Sequence, residues 1–183
     1  MAKYGRAGDL LRFYEICPQV ARVALEGPWF DYVRNSKAEL ETVLGDARKS
    51  LEDERARGEP RWDVLVVDAY SGDAIPVQLV TKEAFRLYRD RLATGGVLAL
   101  HLSNWHVDLV PAAKAAASML GMECVVVSAP PRGFESRSTW AFLSEKELSL
   151  PEGIEAVPLE EVPERRLPSD GCGGLLPFVR MML

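Results

Sequence analysis

Two aspartates, Asp68 and Asp73, lie in a stretch whose residue types and spacing suit ligand binding or proton transfer. Asp68 directly follows the apolar run 64–67, which is typical of a strand buried on both faces of a parallel sheet. Asp73 lies in the following loop, which Pro76 closes. Because ligands of open α/β sheets bind outside the carboxyl ends of the strands, the two carboxylates suit a cationic group or a proton to be removed. In the alternative interpretation, Asp68 caps a turn and Asp73 is a solvated loop residue.

Two more carboxylates are candidates for a nucleotide site. Residues 11–16 alternate as a strand does, with Glu15 near the carboxyl end, where many α/β nucleotide sites hold the two hydroxyls of a ribose. Glu15 is equally compatible with simple exposure at a strand end. Asp46 follows a short predicted strand at 40–44, and either caps the helix that Ala47 begins or accepts a hydrogen bond from a bound base. The sequence favours the capping interpretation.

The remaining reactive residue types predict no nucleophile and no metal site. His101 and His106 are five residues apart, and we interpret both as structural histidines. The three cysteines, Cys17, Cys124 and Cys172, are widely separated and form no Cys-x-x-Cys pair. This pattern predicts neither a disulfide framework nor a zinc site, and it suits a reducing compartment.

The elements that must position these residues alternate between strands and helices. Thr81 is the expected N-cap of one helix, and Gly121 the expected C-cap of another that Asp108 opens. The other predicted elements are strands at 97–102, 124–127 and 138–144, the last at a sheet edge under a helix. This order predicts an α/β fold with a parallel or mostly parallel sheet and helices on both faces. Residues 1–183 are predicted to form a single domain with an irregular C-terminal tail at 150–183.

Composition excludes several classes of protein. The chain has 183 residues, of which 48% are hydrophobic and 27% charged, as in ordinary globular proteins. Its net charge of −5 and the lack of a Lys/Arg stripe argue against nucleic-acid binding. Neither an apolar run long enough to span a membrane nor the apolar core of a signal peptide is found. We therefore predict a cytoplasmic protein.

Four segments together resemble a known family. They are Phe13-Tyr-Glu-Ile, Gly45-Asp-Ala-Arg, Asp63-Val-Leu-Val-Val-Asp-Ala-Tyr-Ser-Gly-Asp-Ala-Ile-Pro and Gly95-Gly-Val-Leu-Ala-Leu-His-Leu-Ser-Asn. In this order they resemble the spermidine synthase (polyamine aminopropyltransferase) family, and most of all its divergent bacterial branch. The similarity runs from about Tyr4 to the end of the chain.

The resemblance implies a Rossmann-like S-adenosylmethionine-dependent methyltransferase fold. The co-substrate would be decarboxylated S-adenosylmethionine or S-adenosylmethionine itself, without a metal. On this analogy Glu15 holds the ribose hydroxyls, and Asp46 with Ala47 contacts the adenine.

The resemblance also implies a small-molecule amine substrate. On this analogy Asp68 orients the acceptor amine and takes its proton, while Asp73 and Tyr70 bind the amine. The implied reaction is aminopropyl transfer to a polyamine acceptor such as putrescine, and the implied assembly is a homodimer.

Three departures from the family pattern define the alternatives. The spacing of Asp68 and Asp73 is longer than in typical spermidine synthases, and Cys17 stands where the family usually has Asp. The first strand and its glycine-rich turn are not found, so we expect an N-terminally truncated chain. The alternatives are an S-adenosylmethionine-dependent methyltransferase of the same fold, although no Asn-Pro-Pro-Tyr-type motif follows the Asp68 strand, and a catalytically silent remnant or partner-completed module.

Overall fold

A computed structural model of the protein describes residues 1–69, 76–131, 133, 137–163 and 165–171. The chain forms two compact units, Met1–Glu59 and Pro60–Leu183. A single domain over residues 1–183 stays a prediction. In the part of the chain that is described, no helix has the length and apolar character needed to cross a membrane.

The first unit contains one parallel strand pair and two helices. Its elements are a 3₁₀ turn at Ala2–Tyr4, β1 (Leu10–Glu15), α1 (Pro18–Glu26), β2 (Glu39–Leu44) and α2 (Ala47–Ala56). β1 and β2 pair in parallel from Leu10↔Glu39 to Glu15↔Leu44, so the carboxyl ends of both strands lie side by side. The strands predicted at 11–16 and 40–44 are confirmed within one residue.

Local signals start both helices of this unit. Pro18 is the first residue of α1, where its missing N–H costs no hydrogen bond. Asp46 is the N-cap of α2, and its Oδ1 accepts a hydrogen bond of 2.9 Å from Lys49 N. The capping interpretation of Asp46 is therefore confirmed.

A charged network ties β1 to the end of α2. Arg12 donates to Glu54 and Glu59 at 2.8 Å and to Glu41 at 2.6 Å, and Tyr14 Oη donates to Glu54 at 2.8 Å. Glu54 is only 2% exposed, so its charge depends on these donors. The hydrogen bond to Glu59 raises the pKa of Arg12, and burial together with the bond to Glu54 raises the pKa of Tyr14.

The second unit contains a four-stranded mixed sheet. Its elements are β3 (Trp62–Val67), a 3₁₀ turn at Val77–Leu79, α3 (Lys82–Arg91), β4 (Leu92–His101), α4 (Val110–Leu120), β5 (Glu123–Ala129) and β6 (Ser138–Ser144). The strand order is β3-β4-β6-β5. β3 is parallel to β4, and β6 is antiparallel to both β4 and β5. Three of the four strands therefore point the same way, as a mostly parallel sheet requires.

Two predictions about this sheet are wrong. β6 is not an edge strand, because it pairs with β4 on one side and with β5 on the other. The run 64–67 is not buried on both faces: Leu65 and Val67 are buried but Val64 is 51% exposed. β3 pairs only with β4 among the described residues, so it lies at an edge of this sheet rather than inside it.

The helices of this unit begin and end at the predicted signals, with one shift. Thr81 Oγ1 accepts from Ala84 N and caps α3, and Gly121 ends α4 in the left-handed region at φ 65°. α4 begins at Val110 rather than at Asp108, whose Oδ1 accepts from Val110 N. The helices and strands enclose a core that includes Phe85, Tyr88, Leu98, Val126 and Leu143.

The tail from residue 150 is irregular but bound to the unit. Over its described residues it forms neither a helix nor a named strand. Val157 N donates to Val126 O at 2.7 Å, beside an isolated bridge between Val127 and Ala156. These contacts cover part of the outer edge of β5, which would otherwise expose unpaired backbone groups.

Candidate active site

Asp68 and His101 meet at the carboxyl ends of two neighbouring strands. The register pairs Val67 of β3 with Leu100 of β4, so the next residue on each strand is Asp68 and His101, respectively. Asp68 Oδ1 lies 2.7 Å from His101 Nδ1. The arrangement arises because β3 and β4 are parallel and end at the same edge of the sheet.

The imidazole of His101 is held by two further residues. Its Nε2 lies 2.9 Å from Ser103 Oγ, which in turn accepts a hydrogen bond of 2.8 Å from Thr139 N. The ring stacks on Trp140 with a centroid distance of 4.8 Å and an interplanar angle of 24°. Trp140 is the register partner of His101 on β6, so the sheet itself brings the two rings together.

The two members of the pair differ in exposure. The Asp68 side chain is 52% exposed and that of His101 is 23% exposed. The turn that Asp68 would cap in the alternative interpretation lies outside the described residues, so that interpretation is not tested. The pair thus consists of an accessible carboxylate that is hydrogen-bonded to a mostly buried imidazole. Such a carboxylate is suited to bind a cation or to accept a proton.

Sequence analysis missed the contact of His101 with Asp68. It interpreted His101 as a structural histidine and did not place it beside Asp68. A usable signal was present, since consecutive strands in β-α-β units are usually neighbours. Asp68 and His101 each end such a strand, and this could have placed them together. Tyr70 and Asp73 lie outside the described residues, so their roles stay predictions.

In the first unit, Glu15 and Asp46 also lie at the carboxyl ends of adjacent parallel strands. Glu15 Oε1 accepts from Cys17 N at 2.8 Å, and Glu15 O accepts from Gly45 N at 2.9 Å. Asp46 follows directly, and Ala47 begins α2. The fold thus brings the three residues predicted to bind a nucleoside to one end of this unit, while their roles stay predictions.

Within the described part of the chain, the thiols and the acidic side chains form no candidate metal site. Among the described residues, no group of three or more His, Cys, Asp or Glu side chains is arranged to hold a metal ion. Cys17 and Cys124 are free, and Cys172 lies outside the described residues. Burial raises the pKa of the Cys124 thiol to about 11, so this thiol is protonated at neutral pH.

No family model matches the chain. Over 79 residues, 43% of this chain and 16% of that protein, it is 32% identical to a probable polyamine aminopropyl transferase of Bifidobacterium longum (strain NCC 2705). The solved structure of a probable spermidine synthase from Corynebacterium glutamicum ATCC 13032 is 24% identical and superposes with a TM-score of 0.56. This match covers 75% of the present chain and 48% of that structure. Over these parts the chain is similar to a polyamine aminopropyl transferase in sequence and to a spermidine synthase in fold.

An O-methyltransferase from Bacillus cereus, solved in complex with SAH, has the same fold. It is 12% identical with a TM-score of 0.53, over 76% of this chain and 64% of that structure. The predicted family resemblance and the predicted Rossmann-like methyltransferase fold are therefore confirmed. The chain spans about half of the length of the solved spermidine synthase and a smaller share of the curated relative.

Proposed function

We propose that the protein transfers an aminopropyl group from decarboxylated S-adenosylmethionine to a polyamine acceptor such as putrescine. The observation that carries the proposal is the accessible carboxylate of Asp68, held by His101 at the carboxyl end of β3. Similarity to a polyamine aminopropyl transferase supports the reaction class.

The chemistry needs a carboxylate at this position for two reasons. An amine attacks carbon only when it is unprotonated, so the group that binds the ammonium must also accept a proton. Asp68 does both in our proposal: a new N–C bond forms, the S–C bond of the sulfonium breaks, methylthioadenosine leaves and Asp68 takes the amine proton. The sulfonium supplies its own activation, which leaves the protein mainly to position the two reactants.

The other predicted residues complete the proposal. Glu15 binds the ribose hydroxyls, and Asp46 with Ala47 contacts the adenine. Tyr70 and Asp73 bind the acceptor, with Asp73 at its distal ammonium. A homodimer and a cytoplasmic location belong to the same proposal.

The test is product analysis with the purified complete gene product. The protein is incubated with decarboxylated S-adenosylmethionine and putrescine, cadaverine or spermidine, and mass spectrometry quantifies methylthioadenosine and the extended amine. We expect both products in equal amounts with at least one amine. Absence of both products with every amine would overturn the assignment.

Methyl transfer is the second candidate, because the O-methyltransferase bound to SAH shares the fold. The same assay separates the two functions when S-adenosylmethionine replaces the decarboxylated donor. Formation of S-adenosylhomocysteine together with a methylated acceptor would favour a methyltransferase. Lack of transfer from either donor would favour the catalytically silent interpretation.

A further inference from the structure

We propose that His101 is a positioning residue, fixed as its Nδ1–H tautomer, which occupies Oδ1 of Asp68 and leaves Oδ2 to receive the proton of the acceptor amine. The inference rests on the proposed function and deepens it. Aminopropyl transfer by itself requires only the aspartate. The structure adds a specific hydrogen-bond chain behind it.

The tautomer follows from the partner of Nδ1. An ionised carboxylate has no proton to donate, so Asp68 Oδ1, at 2.7 Å, accepts from Nδ1–H. A neutral imidazole has one donor and one acceptor nitrogen, so Nε2 is the acceptor. Ser103 Oγ, which accepts the backbone N–H of Thr139, donates its hydroxyl proton to Nε2 at 2.9 Å.

Sheet pairing and stacking hold the ring in this orientation. His101 and Trp140 are register partners on β4 and β6, and their planes differ by 24°. Leu102 N donates to Thr139 O at 2.8 Å, which continues the β4–β6 pairing past the last strand residue. The donor aimed at Asp68 therefore comes from β4, which pairs with β3 on one side and with β6 on the other.

Stability does not explain this arrangement. Asp68 is 52% exposed, so water competes with His101 for its carboxylate oxygens and weakens the stabilising effect of the hydrogen bond. A hydrogen bond that orients a reacting carboxylate has a larger effect on turnover, because a misplacement of about 1 Å can lower the rate roughly 100-fold. The proton moves from the amine nitrogen to Oδ2 and later to solvent, while His101 keeps its own proton throughout.

Three variants of His101 distinguish the contributions of its two ring nitrogens from the contribution of the ring itself. In His101→Asn, the amide N–H takes the place of Nδ1, and in His101→Gln the amide lies nearer the place of Nε2. His101→Phe keeps a flat ring against Trp140 and removes both nitrogens. We expect kcat to fall about 100-fold in the Phe and Gln variants. In the Asn variant we expect recovery to within about tenfold of wild type, with the KM for the donor unchanged.

The tautomer is tested without any turnover assay. The chain has only two histidines, so the imidazole ¹⁵N signals are assigned with His106→Asn. We expect protonated Nδ1 and unprotonated Nε2 at His101, and a shift of this pattern toward the other tautomer in Asp68→Asn. A predominant Nε2–H tautomer in the wild type would overturn the proposal, as would equal kcat in all three His101 variants.

The two tests fail separately. The expected ¹⁵N pattern in a protein that transfers no group would reject the proposed function and leave the hydrogen-bond chain in place. Active transfer with the opposite tautomer, or with full activity of His101→Phe, would reject the positioning role and leave the transferase function in place.

Discussion

The acidic residues at the strand ends have different partners in the two compact units. In Met1–Glu59, the carboxylates of Glu15 and Asp46 accept backbone N–H groups two and three residues further along the chain. In Pro60–Leu183, Asp68 instead bonds a side chain 33 residues away, on the neighbouring strand. The first two contacts are local turn and cap interactions, whereas the third exists only because two strands pair.

The difference shows where a structural role alone accounts for a carboxylate. Asp46 satisfies an N–H group at the start of α2, and Glu15 does the same before α1, so each has a purpose without any ligand. Asp68 bonds the side chain of His101 and remains half exposed, so its carboxylate is accessible to a ligand.

The largest effect is expected from Asp68→Asn, which keeps the shape of the side chain and removes the proton acceptor. We expect kcat for aminopropyl transfer to fall roughly 10²–10⁴-fold, the usual contribution of a general base. Steady-state kinetics with putrescine measure the change. Asp63→Asn is the control, because Asp63 is an exposed carboxylate on the same strand and should leave kcat unaltered. Equal activity of the two variants would show that Asp68 is not the proton acceptor and contributes no more to turnover than an ordinary surface carboxylate.

The next largest effect is expected on the free energy of unfolding. It tests whether the contacts of Arg12 with carboxylates far along the chain stabilise the first unit. Arg12→Met should lower the free energy of unfolding by roughly 3 kcal/mol, because it leaves the charge of buried Glu54 without its main partner. Urea unfolding followed by circular dichroism measures this. Arg34→Met is the matched control, since Arg34 is exposed and bonds only Gly27 O among the described residues. A loss below about 0.5 kcal/mol for Arg12→Met, the range of surface substitutions, would contradict the prediction.

A smaller effect is expected for Glu15→Gln. This variant tests whether Glu15 binds the ribose hydroxyls in addition to accepting the hydrogen bond from Cys17 N. The amide oxygen of Gln still accepts from Cys17 N, so the unfolding free energy should hardly change. Binding of methylthioadenosine should weaken by roughly 1.5–3 kcal/mol, the range for hydrogen bonds to a charged group. Isothermal titration of the complete gene product measures the affinity, and equal affinities would remove Glu15 from the site.

The smallest effect is expected at Asp46, where the structure already supplies a full explanation. Asp46→Ala should cost about 1 kcal/mol of stability through loss of the helix cap, whereas Asp46→Asn should cost much less because Asn also caps well. Thermal unfolding of both variants measures the difference. If the Asn variant keeps its stability but loses nucleoside affinity, Asp46 also contacts the ligand. The carboxylates of the first unit would then have a binding role as well, as proposed for Asp68 in the second unit.

Much of the fold was predictable because its signals are local. Asp46 and Thr81 each cap a helix through an N–H three residues away, and Gly121 ends α4 with the positive φ that glycine adopts without strain. The strands of the first unit were predicted within one residue, since alternation and the following turn define them. The start of α4 was predicted two residues too early, at Asp108, whose Oδ1 accepts from the N–H of the first helical residue, Val110.

The amino-acid sequence alone determined the elements, their caps and the candidate carboxylates, since each of these depends on neighbours within a few residues. Tertiary structure decided that β6 lies between β4 and β5, because strand order depends on which edges pair and not on chain order. It also decided that His101 contacts Asp68, because two strand ends come together only when their register is set. The exposed carboxylate and the imidazole behind it are thus a product of sheet pairing.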